Sequence, residues 1–273
     1  MSITARIIKD SLSKDRIRLT TFVLRYPRFI HSEFMTHRMF SRNAASSRAI
    51  PIKKTLELVK NDPAMPIYWG RNKSGMQAEE ELSESEIEQC KKEWLLARDA
   101  AIVHVERLLE LGLHKQISNR ILESWIHMET ICTATEFANF YNLRLDSAAQ
   151  PEIKTLAEVM LKAHNESIPT YLEWGRWHLP FVTEEESKEF DIELLRKFSV
   201  ARCARVSYLN HEGTIDHEKD IKLHDMLLQN KHMSCFEHQA ASYIKNIPSN
   251  FIGWSQYRKF IEGENRTIFK GLK

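Results

Sequence analysis

Between Thr36 and Arg48 the chain runs through a polar, strongly basic stretch without a single acid. Thr36-His37-Arg38-Met39-Phe40-Ser41-Arg42-Asn43-Ala44-Ala45-Ser46-Ser47-Arg48 holds three guanidinium groups, an imidazole, a carboxamide and several hydroxyls, with only Met39 and Phe40 as large apolar side chains. Uncompensated cations cannot be packed into a core, because an ionised group taken out of water needs a partner. The segment must therefore lie where anions or water reach it. Arginine offers a planar fork that takes phosphate oxygens two at a time, while hydroxyls and backbone amides take the remaining ones. Its composition predicts a loop that holds a phosphate.

The rest of the chain gives this segment a setting. With 273 residues it can bury a substantial core as one large domain or two small ones. A net charge of +2 gives no strong field for nucleic acid or a membrane surface, which favours a local basic pocket over a basic face. No stretch approaches the roughly 20 apolar residues that span a bilayer, and the first residues lack the apolar run of a leader, so a cytoplasmic protein is expected. Cys90, Cys132, Cys203 and Cys235 are far apart and form no paired motif, which predicts reduced, mostly buried thiols and no metal site.

Arg18 to Tyr26 is rich in β-branched and aromatic residues and stops at Pro27, as a strand does. Phe29, Ile30, Phe34 and Met35 fall at helical spacing, so His37 and Arg38 are expected at a helix end. The prolines and glycines from Pro51 to Gln77 predict irregular structure. Ser83-Glu84-Ser85-Glu86 is a capping box opening a long amphipathic helix that ends near Gly112. Lys115 to Glu123 begins a further helix or turn carrying Arg120. Thr130 to His164 reads as one or two helices interrupted between Asp146 and Pro151.

The spacing within the basic stretch resembles the signature of the flavin-dependent thymidylate synthases: Arg-His-Arg, two residues, Ser, one residue, Asn-Glu, one residue, Ser, one residue, Arg. His37-Arg38, Ser41, Asn43, Ser46 and Arg48 match, while Thr36 replaces the first Arg and Ala44 replaces Glu. Asn142-Leu143-Arg144, followed by Ala149-Gln150-Pro151-Glu152-Ile153, is similar to a second segment of that family. Ala204-Arg205-Val206-Ser207, then His232-Met233-Ser234-Cys235-Phe236-Glu237-His238, is similar to a third. In the family the third segment usually precedes the signature, so the order here resembles a circularly permuted, phage-like variant. A weaker internal echo pairs Tyr26-Pro27 with Ile247-Pro248, each preceding a helical run to a basic pair, His37-Arg38 and Arg258-Lys259.

The resemblance implies an α/β (α+β) fold, with helices packed on a small, mostly antiparallel sheet in one catalytic domain, 1–273. Residues 1–173 would carry the signature loop and helical core, 174–197 a linker, and 198–273 the family's usual amino-terminal part. It implies reductive methylation of deoxyuridylate (dUMP) with methylenetetrahydrofolate, FAD and NADPH, in a homotetramer with shared sites. Arg144 would be the catalytic arginine on the uracil, and Glu33, Ser46, Ser47, Arg48 and Arg120 would complete the nucleotide site. Thr36, His37, Arg38, Asn43, Thr133, Thr135, Asn139, Ser207, His232, Ser234 and Glu237 would contact FAD, with Arg42 a candidate replacement cation. Plainer readings exist: an ion pair of Arg144 with Asp146 or Glu152, a helix-terminal cap for His37, and buried hydrogen-bonded imidazoles for His232 and His238. Two other functions fit the same residues, a flavin- and folate-dependent pyrimidine nucleotide hydroxymethylase and a non-catalytic nucleotide- or RNA-binding protein.

Overall fold

The computed structural model describes residues 3–207, 215–242 and 249–261. Its centre is a five-stranded sheet in the order β3-β4-β2-β1-β5. The strands are β1 (Thr4–Ser13), β2 (Arg18–Pro27), β3 (Ser41–Ala44), β4 (His127–Ala134) and β5 (Thr170–Leu172). All neighbouring strands are antiparallel except β1 and β5.

Alternation along the strands divides the molecule into layers. Phe22, Leu24 and Tyr26 of β2 and Met128, Cys132 and Ala134 of β4 face one side, in the largest apolar core. That core is closed by α1 (His31–Met35), α5 (Ala138–Arg144) and α6 (Pro151–Glu166), through Phe34, Phe137, Phe140, Ile153, Leu156 and Met160. Ile131 and Thr133 face the opposite side, where Ile131 packs on Cys203 and Val206 of α8 (Ile192–Val206). The same side carries a second sheet, β6 (Trp177–His178), β7 (Ala240–Ser242) and β8 (Trp254–Gln256), whose Ala240 and Trp254 meet Leu19. Between the layers lies a buried polar row. Thr21 Oγ1 and Thr133 Oγ1 are 2.7 Å apart, His178 Nε2 lies 2.8 Å from Thr21, and His238 Nδ1 lies 2.9 Å from Thr133.

Beside the sheet, α2 (Ile52–Asn61), α3 (Glu84–Glu110) and the 3-10 turn Asn119–Trp125, which follows the short α4 (Lys115–Ser118), share a smaller core of Leu56, Val59, Ile102, Val105 and Leu122. Both halves of the expected capping box are made, Ser83 with the backbone of Glu86 and Glu86 with the Ser83 amide. The last helices, α7 (Glu184–Glu189) and α9 (His217–Gln229), are tied to α8 by a buried cluster of charges. Arg202 donates to Glu186 at 2.8 and 2.5 Å and to Asp220 at 2.9 Å. The stretch 174–197, read from sequence as a linker, thus holds a strand, a capped helix and the fully buried His178.

Several expectations are corrected. The signature is not wholly a loop: Ser41–Ala44 form the edge strand β3, paired with β4. Thr130–Ala134 is strand, not helix, because an apolar run with β-branched residues reads ambiguously until its neighbours in the sheet are known. Residues 52–61 are helical despite the surrounding prolines, since Pro51 sits at the N-cap and leaves the helix interior free. His37 and Arg38 follow the end of α1 at Met35 rather than ending a longer helix. In the internal echo, Trp254–Gln256 is a strand, so the second run is not a helix, and Ile247-Pro248 lies outside the described residues. The four cysteines are free, and three are buried.

Candidate active site

The signature lies along the outer edge of the main sheet, and strand alternation turns its side chains to opposite layers. Arg42 faces the α1 layer, where Nη1 donates to the Phe34 carbonyl at 2.9 Å and the guanidinium lies over the Phe34 ring. Ser41 and Asn43 face α8 and the second sheet. Ser41 Oγ accepts from Gln256 Nε2 at 2.9 Å.

On the α1 side, Phe140 and Arg144 are four residues apart on α5 and therefore share one face. Both meet His37: the Phe140 ring lies edge-on at 4.8 Å, and Arg144 Nε donates to His37 Nε2 at 2.9 Å. Arg144 Nη2 reaches Thr36 Oγ1 at 3.2 Å and the Glu33 carbonyl at 3.4 Å. Burial, with the Arg144 and Arg42 charges nearby, pushes the His37 pKa down to about 4. His37 is thus neutral at pH 7 and accepts at Nε2, which leaves the ring proton on Nδ1. No carboxylate lies within ion-pair distance of Arg144 among the described residues. The ion pairs with Asp146 or Glu152 do not form: Asp146 accepts from the Ala148 amide, and Glu152 from the Ile67 amide and Gln150. Arg144 borders a cleft of about 900 Å³ that includes Phe29, Tyr68, Trp94 and Gln150.

A second cluster joins β3 to the distant carboxy-terminal segment. Asn43 Nδ2 donates to Ser207 Oγ at 2.8 Å and to the Cys203 carbonyl at 3.2 Å, and Asn43 Oδ1 accepts from Ser234 Oγ at 3.1 Å. The Ser46 amide donates to the Ser207 carbonyl at 3.3 Å. Both amide protons of Asn43 are used, so this side chain clasps α8 to the sheet and has no donor left for a cofactor.

A third cluster centres on Glu123, which sequence reasoning did not single out. Its Oε1 accepts from Ser47 Oγ at 2.8 Å and Arg120 Nη1 at 2.9 Å, and pairs with Arg28 Nη2 at 3.1 Å. Asn119 Nδ2 adds a 2.6 Å bond to the Ser47 carbonyl. Glu123 lies in the segment that carries Arg120, but only the fold brings it against the signature. Arg48 and Arg38 are exposed and form no ion pair among the described residues, so their charges face solvent.

Of the other expected contacts, Asn139, His232 and Ser234 are exposed. Thr135 Oγ1 accepts from the Ile252 amide at 3.1 Å. Thr133 is corrected: it is fully buried, its hydroxyl shared by Thr21 and His238, because β4 is a central strand and not an exposed turn. The Glu237 carboxylate is paired with Arg258 at 2.6 Å, a contact that offers no donor to a cofactor. His238 is a buried imidazole held down to about 3 by desolvation.

No helix among the described residues is long and apolar enough to cross a membrane. Residues 18–170 match the family described as thymidylate synthase complementing protein, a span that ends before α8. A flavin-dependent thymidylate synthase of Aquifex aeolicus (strain VF5) is 30% identical over 145 residues, covering 51% of this chain and 43% of the relative. The chain thus spans less than half the length of that curated relative. Two solved structures of the UMP/dUMP methylase PolB from Streptomyces cacaoi, with 5-Br dUMP and with 5-Br UMP, are 19% identical. They superpose with TM-scores of 0.49 and 0.48 over 60% of this chain and 90% and 89% of theirs.

Proposed function

This chain belongs to the thymidylate synthase complementing protein family, and we propose that it is a flavin-dependent thymidylate synthase that methylates C5 of deoxyuridylate. The observation that carries the reading is Arg144, a guanidinium with neutral hydrogen-bond acceptors and no carboxylate partner among the described residues, set against Phe140, His37 and an aromatic-lined cleft. A cation in that condition attracts the charge that develops on a pyrimidine ring as C5 becomes nucleophilic, and the apolar wall strengthens the attraction by lowering the local dielectric.

Ser46, Ser47, Arg48 and Arg120 are assigned to the nucleotide phosphate and sugar. Arg48 brings a charge with no ion pair among the described residues, and Glu123 holds Ser47 and Arg120 together. Glu33 extends that site, next to Thr36. The donors fit a flavin dinucleotide: Arg38 is an exposed cation free of ion pairs among the described residues, and Asn139 and His232 are exposed polar groups, while Ser234 is exposed with its hydroxyl proton given to Asn43. Ser207 is available only through its hydroxyl, which already accepts from Asn43. FAD, when bound, supplies the redox step with NADPH and the transfer of the one-carbon unit from methylenetetrahydrofolate. The chain's own part is to orient the pyrimidine, polarise it through Arg144 and keep His37 neutral.

The clasp of Asn43 on Ser207 and Ser234 supports the permuted reading, because the third segment meets the signature although it follows it in sequence. A homotetramer, with FAD and nucleotide shared between subunits, completes the proposal. Incubation with deoxyuridylate, methylenetetrahydrofolate and NADPH, with the product identified by mass, tests it. A methylated nucleotide is expected. A hydroxymethyl product would make the chain a hydroxymethylase, and a colourless protein that binds deoxyuridylate without oxidising NADPH would make it a binding module.

A further inference from the structure

An arginine side chain has two donor edges, a lateral one formed by Nε–H and Nη2 and an end-on one formed by Nη1 and Nη2. In Arg144 the lateral edge is occupied. Nε donates to His37 Nε2 at 2.9 Å, and Nη2 to Thr36 Oγ1 at 3.2 Å and the Glu33 carbonyl at 3.4 Å. Thr36 is itself fixed, its hydroxyl donating to the Glu33 carbonyl at 2.7 Å, so the lone pairs of Oγ1 are left to accept. The Nη1 donors have no partner among the described residues.

We propose that Thr36 is a positioning residue: together with His37 it locks the guanidinium of Arg144 by its lateral edge, so that the Nη1 end is presented to the pyrimidine. The role in substrate binding rests on the functional reading above; the lock itself does not. Every acceptor in it is neutral, so orientation is fixed without cancelling the charge that the ligand requires. Thr36 is exposed and carries no core packing, so its substitution tests the hydrogen bond rather than the fold.

The test compares wild type, Thr36→Val, which keeps the shape and loses the hydroxyl, and Thr36→Ser, which keeps the hydroxyl. In FAD-loaded protein without nucleotide, the Arg144 Nη2 protons, identified by the loss of the Arg144 side-chain resonances in Arg144→Lys, are expected to be protected from exchange in wild type and Thr36→Ser and exposed in Thr36→Val. Loss of a hydrogen bond to a charged group is expected to raise the dissociation constant for deoxyuridylate about tenfold in Thr36→Val, with Thr36→Ser within about twofold of wild type. Equal behaviour of Val and Ser in the exchange measurement, or undiminished Nη2 protection in Thr36→Val, overturns the proposal. Absence of deoxyuridylate binding in wild type overturns the functional reading instead, and the exchange measurement still decides the lock.

Discussion

Replacing Asn43 by alanine separates a structural from a ligand-binding role for the signature's carboxamide. Its amide makes three hydrogen bonds, at 2.8, 3.2 and 3.1 Å, to Ser207, Cys203 and Ser234. Each is worth about 0.5–1.5 kcal/mol net, but their losses differ. Ser234 is exposed and Ser207 half-buried, so water replaces Asn43 there at little cost. The Cys203 carbonyl belongs to the last turn of α8, and its residue is fully buried. Without Asn43 that carbonyl loses the side-chain donor, at about 1–3 kcal/mol. Asn43→Ala should therefore destabilise the protein by about 1–3 kcal/mol, read in urea as a lower midpoint with an unchanged slope. Asn43→Asp should cost at least as much, because a carboxylate cannot donate and sets its charge against the same carbonyl. A loss below about 0.5 kcal/mol, accompanied by loss of FAD, would refute the clasp and return Asn43 to the cofactor.

Arg144→Ala is expected to abolish turnover while circular dichroism and the urea midpoint stay near wild type; unchanged product formation would remove Arg144 from the mechanism. Arg48→Ala should weaken deoxyuridylate binding much more than FAD binding, as titration of each ligand will show, and equal losses would defeat the phosphate assignment. Glu186→Gln is expected to cost about 2–4 kcal/mol in urea, because it leaves the buried Arg202 charge with one carboxylate, Asp220, in place of two among the described residues. Acid should weaken the fold early. His238 is held neutral, its pKa near 3 against an ordinary 6.5, so the unfolded chain takes up protons that the folded one refuses, and stability falls as pH drops below 6.5. At pH 5 this site alone should cost about 2 kcal/mol, measurable by comparing urea midpoints at pH 7 and pH 5. The Glu186 carboxylate, held down to about 2, acts in a lower window, its contribution present above 4.5 and lost as pH falls towards 2.

Local signals were legible where local physics decides. The β-branched run before Pro27 became β2, Ser83 and Glu86 capped α3, and the two basic segments that resembled one family met through Arg144 and His37. The failures share a cause. Ser-Arg-Asn-Ala has no intrinsic strand preference, and β3 exists because β4 supplies its hydrogen bonds. The β4 run could be assigned only once its place between β2 and β3 was known. Glu123 could not be foreseen for the same reason: nothing in its neighbourhood distinguishes it from any helical acid until Ser47 is brought beside it. Thr133 seemed available because burial is a property of the whole sheet, not of its own short sequence.

The four-residue strand β3 also explains why the family resemblance shows itself as spacing. Its side chains alternate between two different environments, Arg42 towards Phe34 and Ser41 and Asn43 towards Gln256, Ser207 and Ser234. Inserting or deleting one residue there would exchange these environments, presenting a guanidinium to the α8 carbonyl and a carboxamide to the aromatic core. The interval between His37 and Ser46 is therefore a mechanical tolerance as well as a pattern: substitutions such as Thr36 and Ala44 can be absorbed, whereas a change of length by one cannot.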